Sequence, residues 1–362
     1  MWIDLVILFT KAFVLINAVL ILTSFLTWME RKQSAVMQDR LGANRAPIFG
    51  VRAFGLPHIL ADALKMFFKE DYVPPGGDKL LHTVAPLAAV FFALMSFAAI
   101  PFGDAIRVGS REIKLQVLEL DVGLLFVFAM MSMGIYGTFL AGFSSNNKFA
   151  FLGGLRASSQ MISYEITMGA TLVGLLMIFK TLDLNQIVRE QGQLLWGWLP
   201  SWGIILQPFG FLLFLTAGFA ETKRVPFDLP EGESEIIGYF VEYSSMKFGA
   251  FFMVDFVETI LIAALTATLF LGGWQMPYLY GDGFHFPWGT THSLSSASVT
   301  ILQVASFGIK VLFVCWLMLL IRWTLPRFRY DQLMRLGWKI LLPLSVANIF
   351  LTGFFLILLQ SR

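Results

Sequence analysis

Eight apolar runs, each close to the ~20 residues that an α-helix needs to cross a hydrocarbon core about 30 Å thick, constrain this chain more than any other feature. They lie at roughly 5–28, 81–102, 122–143, 161–179, 203–220, 248–272, 299–321 and 340–359. In lipid every backbone polar group must be paired within the segment, so such runs fold as helices. A closed barrel needs short alternating strands, and these runs do not alternate. Charged residues make up 14% of the 362-residue chain and hydrophobic ones 57%. A water-soluble globule could not cover its surface with so few charges, and a disordered chain needs the opposite balance. The expected fold is therefore an all-α integral membrane protein, one polytopic domain over residues 1–362. It has eight transmembrane helices and, in addition, a cytoplasmic amphipathic interfacial helix.

Lys11 interrupts the first run and no small-residue cleavage site precedes Glu30, so this run does not read as a removable signal peptide. Of the 26 Lys and Arg residues, 18 fall in the loops after spans one, three, five and seven. By the positive-inside rule the odd-numbered loops are cytoplasmic and both termini lie on the other face. The amphipathic segment spans about 56–69 in the first odd loop. Pro57 suits a first helical turn. Asp62, Lys65 and Lys69 share one face, opposite Ile59, Leu60, Ala63, Leu64 and Phe67, so this helix is expected to lie on the membrane rather than cross it.

Ionisable groups inside spans cost at least ~2.5–3.5 kcal/mol each near the bilayer centre. This chain keeps Glu165, Asp255, Glu258 and Lys310 there. Burial and neighbouring charge can bring such carboxylates to titrate near neutral pH, as a proton relay requires. A buried ion pair that only holds helices together is the simpler reading of one such group. Three, beside a further acidic loop, favour proton handling. That cytoplasmic loop, 221–247, carries Glu221, Asp228, Glu231, Glu233, Glu235 and Glu242, stiffened by Pro226 and Pro230. Large apolar residues interleave these acids, which suits a packed wall better than a solvated loop. Glu30, Arg31 and Lys32 end the first span. Alone they read as an interfacial anchor; with Asp62 and Lys65 nearby they suit a slot with an apolar interior and a few polar groups.

Other chemistry is missing. The four histidines, His58, His82, His285 and His292, are read as lying outside the spans, which argues against a haem held between helices. Cys315 is the one cysteine, so neither a disulfide framework nor a cysteine-ligated cluster is expected, and no metal site. There is no nucleotide fingerprint. The net charge of +2 gives no basic field, and no nucleic-acid partner is expected.

Six stretches carry a family resemblance: ERKQSAVMQDRLGANR (30–45), LADALKMFFKED (60–71), SSNNKFAFLGGLRASSQMISYE (144–165), ETKRVPFDLPEGESE (221–235), EYSSMKF (242–248) and TLPRFRYDQLMRLGWKILLPLSVAN (324–348). Through them the chain closely resembles the H subunit of bacterial NADH–quinone oxidoreductase, respiratory complex I. The resemblance implies a proton-pumping translocase of the bacterial inner membrane. In it this subunit forms the quinone channel and couples quinone reduction to proton translocation. Quinone is the substrate, nothing is bound covalently, and iron–sulfur clusters and FMN belong to partner subunits. The implied partners are the peripheral-arm iron–sulfur and quinone-site subunits, small membrane subunits, antiporter-like subunits and membrane lipid. Glu30, Arg31, Asp62 and Ala63 would line the quinone passage. Glu165, Glu221, Asp228, Glu231, Glu233, Glu235, Glu242 and Asp255 would form the acidic path, with Asp255 standing where the family has Glu. Arg224, Arg327 and Arg329 would be structural counter-charges. Two rivals use the same buried acids: the corresponding subunit of an energy-converting hydrogenase, and a stand-alone proton or ion transporter.

Overall fold

A computed structural model describes residues 2–108, 111–195, 197–230 and 238–360. Helix α1 (Trp2–Met37) runs nine residues beyond the expected end of span one, because no Gly or Pro occurs before Gly42. It carries Glu30 and Arg31 out of the apolar zone on a continuous helix. The short amphipathic helix α2 (Pro57–Phe68) starts on its proline, as expected. Next come α3 (Lys79–Met95), capped by the Asp78 carboxylate on the amides of Leu80 and Leu81, and α4 (Gly123–Ser144). Helix α5 (Lys148–Phe179) starts on an Asn147 side-chain cap. Small residues let these three backbones approach. A Cβ on Gly137 would come within 2.7 Å of the Ala89 Cβ, and one on Gly142 within 2.6 Å of the Ala150 carbonyl.

The expected fifth span is the exception. After α6 (Leu184–Gln191) the chain forms a single turn, α7 (Gly203–Leu206), breaks at Gln207, and continues as α8 (Pro208–Glu221). Pro208 has no amide to extend the preceding turn. The 14 residues of α8 reach only about 21 Å at 1.5 Å per residue. Among the described residues seven helices are long and apolar enough to cross a membrane, rather than the eight expected. The break is satisfied by the last helix: Asn348 Nδ2 donates to Gln207 Oε1 (3.0 Å), and Gln207 Nε2 donates to Thr352 Oγ1 (2.5 Å). Helices α9 (Ser245–Phe270) and α10 (Ser296–Thr324) follow. The chain then closes with α11 (Tyr330–Arg335), a π-helical turn at Leu336–Leu341, and α12 (Leu342–Gln360).

The loops sort to two ends. After the even-numbered crossings they form antiparallel ribbons, which the all-α reading did not foresee. These are β1 (Ala105–Val108) with β2 (Arg111–Lys114), β3 (Leu194–Leu195) with β4 (Leu199–Pro200), and β5 (Leu279–Tyr280), β6 (Gly283–His285) and β7 (Thr291–Ser293) together. Arg189 to Asp104 (2.6 Å) and Tyr278 Oη to the Trp198 carbonyl (2.5 Å) tie them to one another. The odd-numbered loops meet at the other end, where Arg327 reaches Asp228 (2.7 Å) and Asn147 reaches Glu242 (2.7 Å). Thus α7 and α8, though short, still carry the chain from one end to the other. Helix α9 is the centre of the bundle, buried along most of its length from Val254 to Phe270.

One expectation changes. His82 lies in the first turn of α3, fully buried, its ring stacked on Tyr243 at 3.9 Å. Lys310 lies in a span, as expected, and holds the loop just past α9. Its ammonium donates to the carbonyls of Gly273 (2.9 Å) and Gln275 (2.5 Å) and sits 4.7 Å from the Trp202 ring. It is remote in role from the acidic path.

Candidate functional site: a buried string of carboxylates

The site begins where α1 leaves the apolar zone. Glu30 turns inward and is held by two guanidinium groups, Arg224 at 2.8 Å and Arg322 at 2.6 Å. Arg224 also lies over the Phe256 ring, 3.7 Å from its centroid. Arg31 turns the other way, to Asp62 of α2 (2.6 Å), which Lys65 also pairs (2.7 Å). Among the described residues Glu30 and Asp62 share no cationic partner. Burial acts to raise the Asp62 pKa, but the hydrogen bond from Lys65 and the charge of Arg31 outweigh it and hold the carboxyl below its ordinary value. Ala63 is exposed on α2. Helix α2 is also fixed against α9: Ser245 Oγ donates to the Met66 carbonyl (3.1 Å), and Lys247 pairs with Asp71 (3.0 Å). The result is an amphipathic helix wedged beside α1 and α9, with Phe67 and Phe68 exposed.

The loop after α8 lies over the bundle end. Gln160 of α5 holds it, donating to the carbonyls of Ala220 (2.7 Å) and Phe227 (2.8 Å). Phe227 stacks on Phe328 (5.4 Å), and the Phe328 amide bonds the Pro226 carbonyl. This packing buries Asp228, which Arg327 pairs at 2.7 Å. Burial pushes the Asp228 carboxyl up to about 6, against the pull of Arg327 and Arg322. Glu231, Glu233 and Glu235 lie outside the described residues. Glu242 accepts from Asn147 and borders a cleft of about 710 Å³ with Tyr72 and Lys148. Its neighbour Tyr243 bonds Ser144 (3.0 Å), and burial pushes its phenol up to about 12. Arg329 opens α11 through its backbone amide, which bonds Gln332 Oε1.

Deeper still, Lys223 is wholly buried between Asp255 (3.4 Å) and Glu258 (3.2 Å) of α9. These two acids share a helix face because they are three residues apart. Glu258 and Glu221 both line a space of about 10 Å³, near the lower limit for one water, walled by Met130, Met161 and Leu261. Glu221 is 2% exposed, and neither carboxyl oxygen has a hydrogen-bond partner among the described residues. Glu165 on α5 accepts a hydrogen bond from Ser132 of α4 and lies within electrostatic reach of Glu221. The groups therefore follow one another from the bundle end into its interior: Glu30 with Arg224 and Arg322, Asp255 with Lys223 and Glu258, then Glu221, then Glu165 with Ser132.

Three members were not assigned from sequence. Lys223 stands inside ETKR (221–224), where one basic residue among acids draws no notice. Arg322 ends α10 and reads as an interfacial anchor. Ser132 has no signal separating it from other small polar residues in spans. Among the described residues no group of three or more His, Cys, Asp or Glu side chains is placed to hold a metal ion.

Fold and site together define a polytopic helical membrane protein with a string of carboxylates, the outer ones ion-paired, running from one bundle end into its interior. Comparison with known proteins narrows this class. The NADH dehydrogenase family profile matches residues 10–353. An H subunit of NADH-quinone oxidoreductase from Cytophaga hutchinsonii is 42% identical over 335 residues, 92% of each chain. The H subunit from Thermomicrobium roseum is 42% identical over 356 residues, covering 97% of this chain and 96% of that one. One from Geobacter metallireducens is 42% identical over 98% of both. The chain belongs to this family, the H subunits of NADH-quinone oxidoreductase, a membrane component of an enzyme complex.

Proposed function

We propose that this chain walls the passage through which quinone reaches its reduction site, and that it carries the electrical consequence of that reduction into the membrane. Quinone is the substrate. Redox groups, iron–sulfur clusters and FMN, belong to partner subunits of the peripheral arm; antiporter-like and small membrane subunits are the other neighbours. The chain sits in a bacterial inner membrane with its odd-numbered loops cytoplasmic and both termini periplasmic. The 18 of 26 basic residues in those loops support that orientation.

One observation carries the reading: Glu30, Asp255, Glu258, Glu221 and Glu165 form a succession of acids in low dielectric, the first three held by Arg224, Arg322 and Lys223. In such surroundings a charge change at one member is weakly screened and alters proton affinity at the next. Reduction of a quinone headgroup beside Glu30, Arg31 and Asp62 creates negative charge that must be neutralised by protons. Arg224 and Arg322, shared with Glu30, feel that charge first. Lys223 sits next in sequence to Arg224 and touches Asp255 and Glu258. Asp228, paired with Arg327 and pushed by burial up to about 6, takes up a proton more readily than an ordinary aspartate. Glu231, Glu233, Glu235 and Glu242 extend the acidic surface outward.

The test uses the assembled complex in proteoliposomes. Glu165→Gln and Asp255→Asn are each expected to lower proton pumping and quinone reduction together, by tenfold or more. Full pumping at full reductase rate in both variants rules the relay out. A bulky Ala63→Trp variant is expected to raise the apparent quinone KM, and unchanged kinetics would count against α2 as a wall of the passage.

A further inference from the structure

At the end opposite Glu30, a groove of about 500 Å³ opens between α1 and α10, floored by Ile260 and Ala264 of α9. Its walls are apolar along their length, from Val14 and Leu22 to Phe307 and Val311. It opens outward: Val14 is 60% and Val304 42% exposed. Its polar members, Thr10, Lys11 and Gln116, gather at the even-loop end. The Lys11 ammonium donates to the Gln116 carbonyl (3.1 Å), and among the described residues no carboxylate pairs with it.

The shape selects the occupant. From Lys11 to Leu22 is about 16 Å at 1.5 Å per residue, close to one leaflet of a ~30 Å core. A groove of that length and volume is roughly 9 Å from wall to wall, once the radius of a water molecule, about 1.4 Å, is added on each side. An α-helix with its side chains is about 10–12 Å wide, so a partner helix does not fit. A single hydrocarbon chain does. A lysine at the mouth, beside Gln116 of the even loop and with donors to spare, reaches toward the interface by snorkelling and calls for an anion. We propose that this groove holds one acyl chain of an anionic phospholipid of the even-loop leaflet, with its headgroup phosphate at Lys11. This site is separate from the proposed quinone passage, which lies at the odd-loop end.

The intact complex in nanodiscs tests it, using phosphatidylglycerol or phosphatidylcholine with a photoreactive group in the acyl chain and mass spectrometry of the labelled peptides. Adducts are expected on residues 14–22 and 304–312, with phosphatidylglycerol favoured about fivefold, the size of one basic residue's effect near an anionic surface. Lys11→Gln is expected to abolish that preference while keeping labelling by both lipids. Gly308→Leu is expected to bring both to background. A side chain there enters open space, since a Cβ on Gly308 meets nothing within 4 Å, and leucine favours the helix. Absence of adducts on these segments, equal labelling by the two lipids in the unmodified protein, or labelling unchanged by Gly308→Leu would each overturn the proposal. So would displacement of the label by a long-chain isoprenoid quinone, which would give the groove to the substrate.

Discussion

The Lys223 ammonium lies 3.2 Å from a carboxylate oxygen of Glu258, and the lysine side chain is wholly buried. Asp255 stands at 3.4 Å from the same nitrogen, so two acids share this cation. Removing the cation leaves buried carboxylates without it, whereas removing Glu258 leaves Lys223 paired with Asp255. Lys223→Met is therefore expected to destabilise the subunit by ~3–5 kcal/mol. Glu258→Gln should cost roughly 1 kcal/mol. The double variant should recover part of the Lys223→Met loss. Thermal unfolding and assembly yield of the purified complex measure all three; a double variant no better than Lys223→Met would show that the charge balance is not what matters.

Asp228 gives a pH dependence whose sign is fixed. Its folded pKa, about 6, lies above its ordinary value of 3.8. The folded state thus holds a proton that the unfolded state has released between those values. The associated stability is full below about pH 4 and is lost as pH rises through 6. Asp228→Asn removes this dependence, so between pH 4 and 7 the stability of the unmodified protein should fall by up to ~3 kcal/mol relative to the variant. An infrared titration of isotopically labelled aspartate should place the Asp228 midpoint near 6; a midpoint near 4 contradicts the burial argument.

How much of this was legible in sequence depended on the length scale of the signal. Long apolar runs announce helices, and seven of the eight runs became long apolar helices. The run at 203–220 did not, because Gln207 and Pro208 interrupt it while its mean hydropathy stays high. A window average does not register one missing amide and one polar side chain. The acids Glu165, Asp255 and Glu258 were visible because charge inside lipid is rare whatever the register. Their cations were not: Lys223 and Arg322 lie at helix ends, where basic residues are ordinary, and only the tertiary path shows them turned inward. Glu30 and Asp62, grouped in sequence as one slot, take different partners: Glu30 faces Arg224 and Arg322 while Asp62 faces Arg31. Their side-chain directions follow from where α2 docks, which no local pattern encodes.

The Arg31–Asp62 pair joins α1 to α2 and is partly exposed, so its contribution to stability is small, ~1 kcal/mol or less. Its consequence lies in placing α2. Arg31→Asp alone is expected to loosen α2, seen as faster amide hydrogen exchange across 57–68, and to raise the apparent quinone KM. The exchange Arg31→Asp with Asp62→Arg should restore both. Because the Asp62 pKa is depressed, the docking is present above the ordinary value of 3.8 and is lost as pH falls through the folded pKa. Exchange in α2 should therefore be constant from pH 5 to 8 after correction for the intrinsic rate. A change within that range would assign the docking to another group.

Lys310 offers a control that separates structure from coupling. It lies part-buried in a span like Glu165 and Glu258, but its contacts are the carbonyls of Gly273 and Gln275 and the face of Trp202. Those carbonyls belong to the loop just past the end of α9. A cation there completes hydrogen bonding and suits the negative end of the helix dipole. Lys310→Met leaves both carbonyls without that donor and should cost ~2–4 kcal/mol in thermal stability. Complex that still assembles is expected to pump the normal number of protons per quinone reduced, because Lys310 touches no carboxylate of the string. A normal reduction rate with a lowered pumping ratio would instead make Lys310 part of the proton path, and the division between an acidic interior and a structural even-loop end would have to be redrawn.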